Sequence, residues 1–188
     1  MWEGDAGAVQ AFWDAGRHLR RLLGEGSWGP RGGAYTVRLP LEDDKRRFDE
    51  AAGVALGAGP VMARLDAGER ALDLFGGGGY LEWCDTLWAS TARVRVTSRA
   101  VAVALALAAL YDELERAEDA IDAARRAASF DPFDEAPQLA LLRLLATSGQ
   151  VDEALRAYKA YRRLLRDELA AEPSPELRAL AASLRRQP

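Results

Sequence analysis

The 188-residue chain has one cysteine, Cys84, one histidine, His18, and two methionines. A lone cysteine excludes an internal disulfide framework and any zinc site built on cysteines, and it fits a reducing compartment. A lone histidine excludes a His–His metal pair, and any nucleophile–histidine triad would have to be assembled around His18. No basic segment precedes an apolar run and a small-residue cleavage site at the N-terminus, so no signal peptide is expected. The most apolar run, Ala100 to Leu110, is too short to span a bilayer. The net charge of −4 divides into +1 up to Pro40 and −5 beyond it, so no region is basic enough for bulk charge alone to announce nucleic acid. The expectation is a soluble, cytoplasmic protein with no membrane partner.

Complete catalytic constellations are also missing. Gly76 to Gly79 lacks the Gly-Lys-Ser/Thr ending of a phosphate loop, and Tyr80-Leu81 follows, so the run reads as a break between helices. Asp43, Asp44, Asp131, Asp134 and Glu135 stand where helices begin, where carboxylates cap and complement the helix dipole. Nothing selects a pair of them for acid–base work. The expectation is no enzyme, no metal and no cofactor.

What is present is helical patterning in a chain that is 49% apolar. From Ala8 to Leu23, Phe12, Ala15, Gly16, Leu19, Leu22 and Leu23 recur at helical spacing, opposite a stripe of Gln10, Trp13, Asp14, Arg17, Arg20 and Arg21. Gly24 is a C-cap candidate. A Gly- and Pro-rich turn then leads into Ala34 to Leu39, which alternates as a half-buried strand, so the first forty residues make a helix and a hairpin. That is too little for a stable domain. Beyond Pro40 the spacing predicts helices at Asp43–Leu56, Val61–Phe75, Glu82–Glu113, Ala117–Phe130, Asp134–Ser148, Val151–Leu169 and Pro175–Arg185. The β-branched cluster Val94, Val96 and Thr97 marks a possible interruption in the third of these. Trp83, Trp88, Tyr111, Tyr158 and Tyr161 read as inter-helix packing.

Two segments repeat. Ala117 to Ala127 superposes on Val151 to Tyr161 with an offset of 34, which sets Ala120 on Ala154, Asp119 on Glu153 and Ile121 on Leu155. Small residues there let antiparallel helices approach closely, and the period is that of tetratricopeptide helix pairs. The prolyl stops Pro132 and Pro173 lie 41 apart, so the second copy is longer by seven residues, or roughly two turns.

Asp131-Pro132, Glu135, Leu142, Leu145, Gly149, Glu153-Ala154-Leu155, Tyr158, Leu164, Glu168-Leu169 and Pro173-Ser174-Pro175-Glu176 follow one another in an order that resembles the bacterial transcriptional activator domain. This is the helical-repeat domain of the Streptomyces antibiotic regulatory protein family. The resemblance covers about Leu41 to Leu184. In that family a winged helix-turn-helix domain comes first, and residues 1–40 are similar to its recognition helix and wing, with Leu19-Arg20-Arg21 and Leu23-Gly24 matching. Gly16 stands where an apolar core residue is usual, Arg17 where Ser is, and His18 where Arg is. The sheet and first two helices of a winged domain have no counterpart, so a fragment of a longer regulator and a degenerate relative both stay open.

The resemblance implies a mainly α fold, with a partial winged helix-turn-helix over 1–40 and a tetratricopeptide-like activator domain over 41–188. It implies a transcriptional regulator that binds promoter DNA, associates with itself as a homodimer and contacts RNA polymerase through its helical repeats. The expected DNA-binding residues are Gln10, Trp13, Arg17, Arg20 and Arg21 on the helix, with Arg31 and Arg38 of the wing on phosphate. Arginine suits both roles because its fork fits guanine edges and phosphates. The alternative is a helical-repeat interaction or ligand-sensor module that has lost DNA binding.

Overall fold

The structure, a computed structural model, describes residues 6–24, 26–31, 34–37, 43–76, 80–82 and 84–186. The expectations placed on Arg38, Leu39, Trp83 and Gly77 to Gly79 lie outside them. The chain divides into two compact units, Met1–Glu42 and Asp43–Pro188.

The first unit holds helix α1 (Ala6–Leu23) and an antiparallel hairpin of β1 (Trp28–Arg31) and β2 (Ala34–Val37). Gly24, at φ +91°, ends α1 by donating its N–H to the Arg20 carbonyl at 2.9 Å. Ser27, which is buried, turns its hydroxyl back onto the Gly24 carbonyl at 2.5 Å. The register pairs Trp28 with Val37 and Pro30 with Tyr35. This sets Trp28 and Tyr35 diagonally on one face of the hairpin, where aromatic side chains reach each other.

The second unit contains helices α2 (Asp44–Ala55), α3 (Val61–Phe75), α4 (Leu87–Glu113), α5 (Ala117–Phe130), α6 (Glu135–Thr147), α7 (Val151–Leu169) and α8 (Pro175–Leu184). Each packs on the next. Close backbone contacts also join α2 to α4, α4 to α6 and α6 to α8, but not α3 to α5 or α5 to α7. The helices therefore alternate between two layers, one of α2, α4, α6 and α8, the other of α3, α5 and α7. Alternation of this kind follows from a helix–turn–helix unit repeated along one direction.

Asp43 and Asp134 cap helices where carboxylates were expected to, and Ser174 adds a hydroxyl cap that was not singled out from sequence. Asp43 accepts from the N–H of Lys45 and Arg46, Asp134 from Ala136, and Ser174 from Leu177 ahead of Pro175 at the first turn. The largest boundary difference is α4, which starts at Leu87 rather than Glu82. Arg93 explains it, because its guanidinium donates to the carbonyls of Tyr80 at 3.0 Å, Leu81 at 2.7 Å and Cys84 at 3.2 Å. Carbonyls held by that fork are drawn away from helix pairing, and Leu81 sits at φ +55°. The β-branched cluster does not interrupt α4, which runs for 27 residues. At that length and apolarity α4 is long enough to cross a membrane, contrary to the reading from Ala100–Leu110 alone. Half of its most apolar window is nevertheless buried inside the helical unit, as in a core helix.

Small residues carry the close approaches. Ala120 and Ala154 are both fully buried, as are Ala71, Ala104, Ala124 and Ala127. Gly68 of α3 lies against Leu107 of α4, where an added Cβ would come within 2.7 Å of Leu107 Cδ2. Tyr111, Tyr158 and Tyr161 are buried between helices. Trp88, expected to pack, is instead 59% exposed, and its neighbour Leu87 is 84% exposed. The reason is length: α3 and α5 have 15 and 14 residues and cannot cover all 27 of α4.

The layer of α3, α5 and α7 is joined by long polar side chains. Glu69 of α3 accepts from Tyr111 Oη at 2.9 Å and from Arg126 of α5 at 3.0 Å. Arg125 of α5 donates to Glu153 of α7 at 2.5 Å. Burial, then the Glu69 carboxylate, pushes the Tyr111 phenol up to about 12. Burial, then Glu135, Asp134 and Asp131, does the same to Tyr161.

Two outcomes follow. Ala154→Leu overpacks the α6–α7 seam and should lower stability by about 1–3 kcal/mol, whereas Ala160→Leu on the exposed side of α7 should stay within about 0.5 kcal/mol, by urea denaturation. The fold holds the protons of Tyr111 and Tyr161 more tightly than the unfolded chain does. The stability they lend is therefore complete below pH 10 and lost as the pH rises to about 12. Stability measured across that window should fall less in Tyr111→Phe and Tyr161→Phe than in the wild type.

Candidate nucleic-acid interface

Helix α1 is amphipathic, but the hairpin covers only one flank of it. Gly16 is buried, and a Cβ built there would overlap Cζ3 and Cη2 of the Trp28 indole. The residue that departs from the expected apolar position is thus filled from outside, by a ring lying where a side chain would stand. Around that contact Trp28 stacks on Tyr35 with centroids 4.7 Å apart, and Phe12 lies 5.5 Å from Trp28 and 5.1 Å from Tyr35. The rest of the expected apolar stripe is not enclosed: Phe12, Leu22 and Leu23 are exposed and Leu19 is half-buried. Two four-residue strands are too small to cover five helical turns.

The expected DNA-facing residues divide into two groups. Gln10, Asp14, Arg17 and Arg21 recur every three or four residues and form one exposed stripe. Within it Gln10 Nε2 donates to both Asp14 oxygens, at 3.1 and 3.2 Å, and Arg17 pairs with the same carboxylate. The Gln10 hydrogen bonds and then the Arg17 guanidinium hold the Asp14 carboxyl below its usual value. Arg21 is exposed and has no partner among the described residues.

Trp13 and Arg20 turn toward the hairpin instead. Trp13 meets Tyr35 edge-on at 5.5 Å, and Arg20 lies over the Trp28 ring at 5.2 Å. Arg20 Nε also faces the Trp28 carbonyl at 3.5 Å. These two hold the hairpin against α1 as well as bordering the stripe. Arg31 is exposed at the end of β1, without a partner among the described residues. Arg38 lies outside the described residues. His18 is exposed, away from the Trp28 contact. Trp28 and Tyr35, which organise the unit, were not singled out from sequence. The signal was a glycine in the apolar stripe facing a hairpin with an aromatic residue on each strand.

The model of the bacterial transcriptional activator domain matches residues 44–185. The chain belongs to the bacterial transcriptional activator domain family. The resemblance read from the sequence is therefore borne out. Among solved structures, the chain is similar to Mycobacterium tuberculosis EmbR in complex with a low-affinity phosphopeptide, at a TM-score of 0.69 and 23% identity. That likeness covers 100% of this chain and 53% of the other, so the chain spans about half the length of the structure it matches. It bears on fold, and supports the mainly α repeat array with its helix and hairpin. No curated protein matches the chain.

In the activator domain the signature residues do architectural work. Glu135 of α6 accepts the Ser174 N–H at 3.0 Å, fixing the start of α8, and Glu176 pairs with Arg143 at 2.7 Å. Gly149 takes φ +75° in the turn before α7, Leu142 and Leu145 are buried, and Glu153 ties α7 to α5. Asp131 accepts the Phe133 N–H at 3.2 Å, and the Phe133 carbonyl accepts from Tyr161 Oη at 3.1 Å.

Gly16→Ala gains helix propensity, up to about 1 kcal/mol, yet it must displace the Trp28 ring. The expected result is loss of the Trp28–Tyr35 stack, seen as a weakened near-ultraviolet circular dichroism signal with far-ultraviolet helicity unchanged. An unaltered near-ultraviolet spectrum would contradict this packing.

Proposed function

We propose that the chain is part of a transcriptional regulator of the antibiotic-regulator type, whose first unit is the recognition helix and wing of a winged domain. The stripe of Gln10, Arg17 and Arg21 enters the major groove, and Arg31 of the hairpin meets the phosphate backbone. Arg38, outside the described residues, belongs with Arg31 on the wing. Trp13 and Arg20 act mainly by fixing the hairpin to α1. The helical unit supplies protein contacts, to RNA polymerase and to a second copy of the regulator. The protein works in the cytoplasm and performs no catalysis. The observation that carries this reading is the pair Arg21 and Arg31, cations without a partner among the described residues, on a member of the bacterial transcriptional activator domain family.

Asp14 gives the reading its sharpest test. Its carboxylate occupies Arg17 and repels DNA, so among the described residues of the stripe and the hairpin Arg21 and Arg31 are the cations free to neutralise phosphate. Few contacts mean weak, salt-sensitive binding, in the micromolar range for duplex DNA. Fluorescence anisotropy at two salt concentrations should show Asp14→Asn binding several-fold tighter, because it releases Arg17 and removes a negative charge. Arg21→Ala with Arg31→Ala should weaken binding. Affinity untouched by both changes would place the recognition surface elsewhere.

A further inference from the structure

The geometry points to a second DNA-backbone contact on the activator domain itself, along the outward face of α7. Between Leu155 and Arg166 that helix carries Arg156, Lys159, Arg162, Arg163 and Arg166 and no carboxylate. Arg156, Lys159, Arg163 and Arg166 recur every three or four residues, so they share one face, and all four are exposed. Arg162 stands apart from them, held by Glu172 at 2.8 and 3.2 Å, and Arg166 pairs with its chain neighbour Asp167 at 3.0 Å. Arg156, Lys159 and Arg163 have no partner among the described residues. Helix α7 packs on α6 and α8 and is bridged to α5 by Glu153, and the exposure of these four residues sets their face outside those contacts.

The repeat makes the stripe specific to α7. The positions of α5 that correspond to Arg156, Lys159 and Arg163 are Asp122, Arg125 and Ser129. There the single cation is neutralised twice, by Asp122 at 2.8 Å and by Glu153 at 2.5 Å. Helix α7 has the same fold and packing but lacks both counter-charges on its outward face. Its last cation, Arg166, falls in the five residues by which α7 (19 residues) exceeds α5 (14 residues).

The chemistry of the face selects the partner. Tyr158, Tyr161 and Leu165 of α7 are buried, Leu155 and Leu164 are half-buried, and Ala160 is the apolar residue beside the three unpaired cations; the exposed Leu169 lies beyond them in the last turn. A protein-binding surface draws its energy from buried aromatic and aliphatic anchors, and between Arg156 and Arg163 this face has none. It offers charge alone, which is what a phosphate backbone reads. Arg156 to Arg166 spans about 15 Å of helix, comparable to about four phosphates along one strand at 3.4 Å each. The partner is duplex DNA, contacted through phosphates and without base selection. This rests on the reading of the chain as a DNA-binding regulator.

The experiment titrates duplex DNA into the full chain at several salt concentrations. Three proteins are compared: wild type, Arg156→Gln with Lys159→Gln and Arg163→Gln, and Arg21→Ala with Arg31→Ala. Glutamine keeps helix propensity at exposed positions, and circular dichroism checks that the fold is intact. Losing three phosphate contacts should reduce the slope of log K against log salt by about 2.7 and weaken binding on all DNA sequences alike. An α7 variant that binds with wild-type affinity and slope overturns the second contact, and if the α1–β1 variant still loses binding, the first reading survives alone. An α7 variant that loses affinity for poly-L-glutamate but not for DNA also overturns it, assigning the stripe to an acidic protein. No DNA binding by the wild type overturns both.

Discussion

Antiparallel helices in the activator domain meet over side chains no larger than a methyl group, and the rest of that unit depends on this. Ala120 and Ala154 are fully buried at matching points of the two repeats, and Gly68 admits Leu107 at a distance no other residue would allow. Each helix thereby lies close against the next, and α2, α4, α6 and α8 also meet one another within their layer. The other layer then lies far enough apart to be spanned by Glu69, Arg125, Arg126 and Glu153. Packing of alanines sets the spacing, and the spacing decides which polar side chains can reach. The first unit uses the same device in reverse, with a glycine receiving a whole indole ring.

Much of this was legible in the sequence, because it was local. Four of the five helices between Val61 and Leu169, all but α4, are bounded by strong signals: Pro60 ahead of α3, the Asp131-Pro132 stop between α5 and α6, and Gly149 before α7. Helix ends set by side chains from elsewhere were not legible. No periodicity argument places the Arg93 fork on three carbonyls of the preceding segment, so α4 was expected to start five residues early. Trp88 was expected to pack because it is aromatic, whereas its exposure follows from the relative lengths of three helices. The cationic stripe of α1 was visible as spacing, but the division of its work was not. Which arginine is occupied by Asp14, and which leans on Trp28, depends on rotamers and on a hairpin whose face was not assigned.

The family signature carries a related lesson. Its residues cap helices, bridge layers and fill the core, as Glu135, Glu176, Gly149 and Tyr158 do. A signature of this kind identifies a scaffold. The exposed cations of α1 and α7 stand outside it and bear none of that architecture.

Alternating layers have a consequence for how the activator domain opens. Each helix is held only by its immediate neighbours and by the next member of its own layer, so stability is nearly a sum of adjacent interfaces. In such a chain the ends fluctuate separately from the middle. Helix α8, 10 residues long, rests on α6 and α7 alone, while α4 is held by α2, α3, α5 and α6. Protection of backbone amides against hydrogen exchange is therefore expected to be graded along the activator domain, deepest in the second half of α4 and shallowest toward α8. The domain can loosen its C-terminal turns, and whatever docks there, while its centre stays folded.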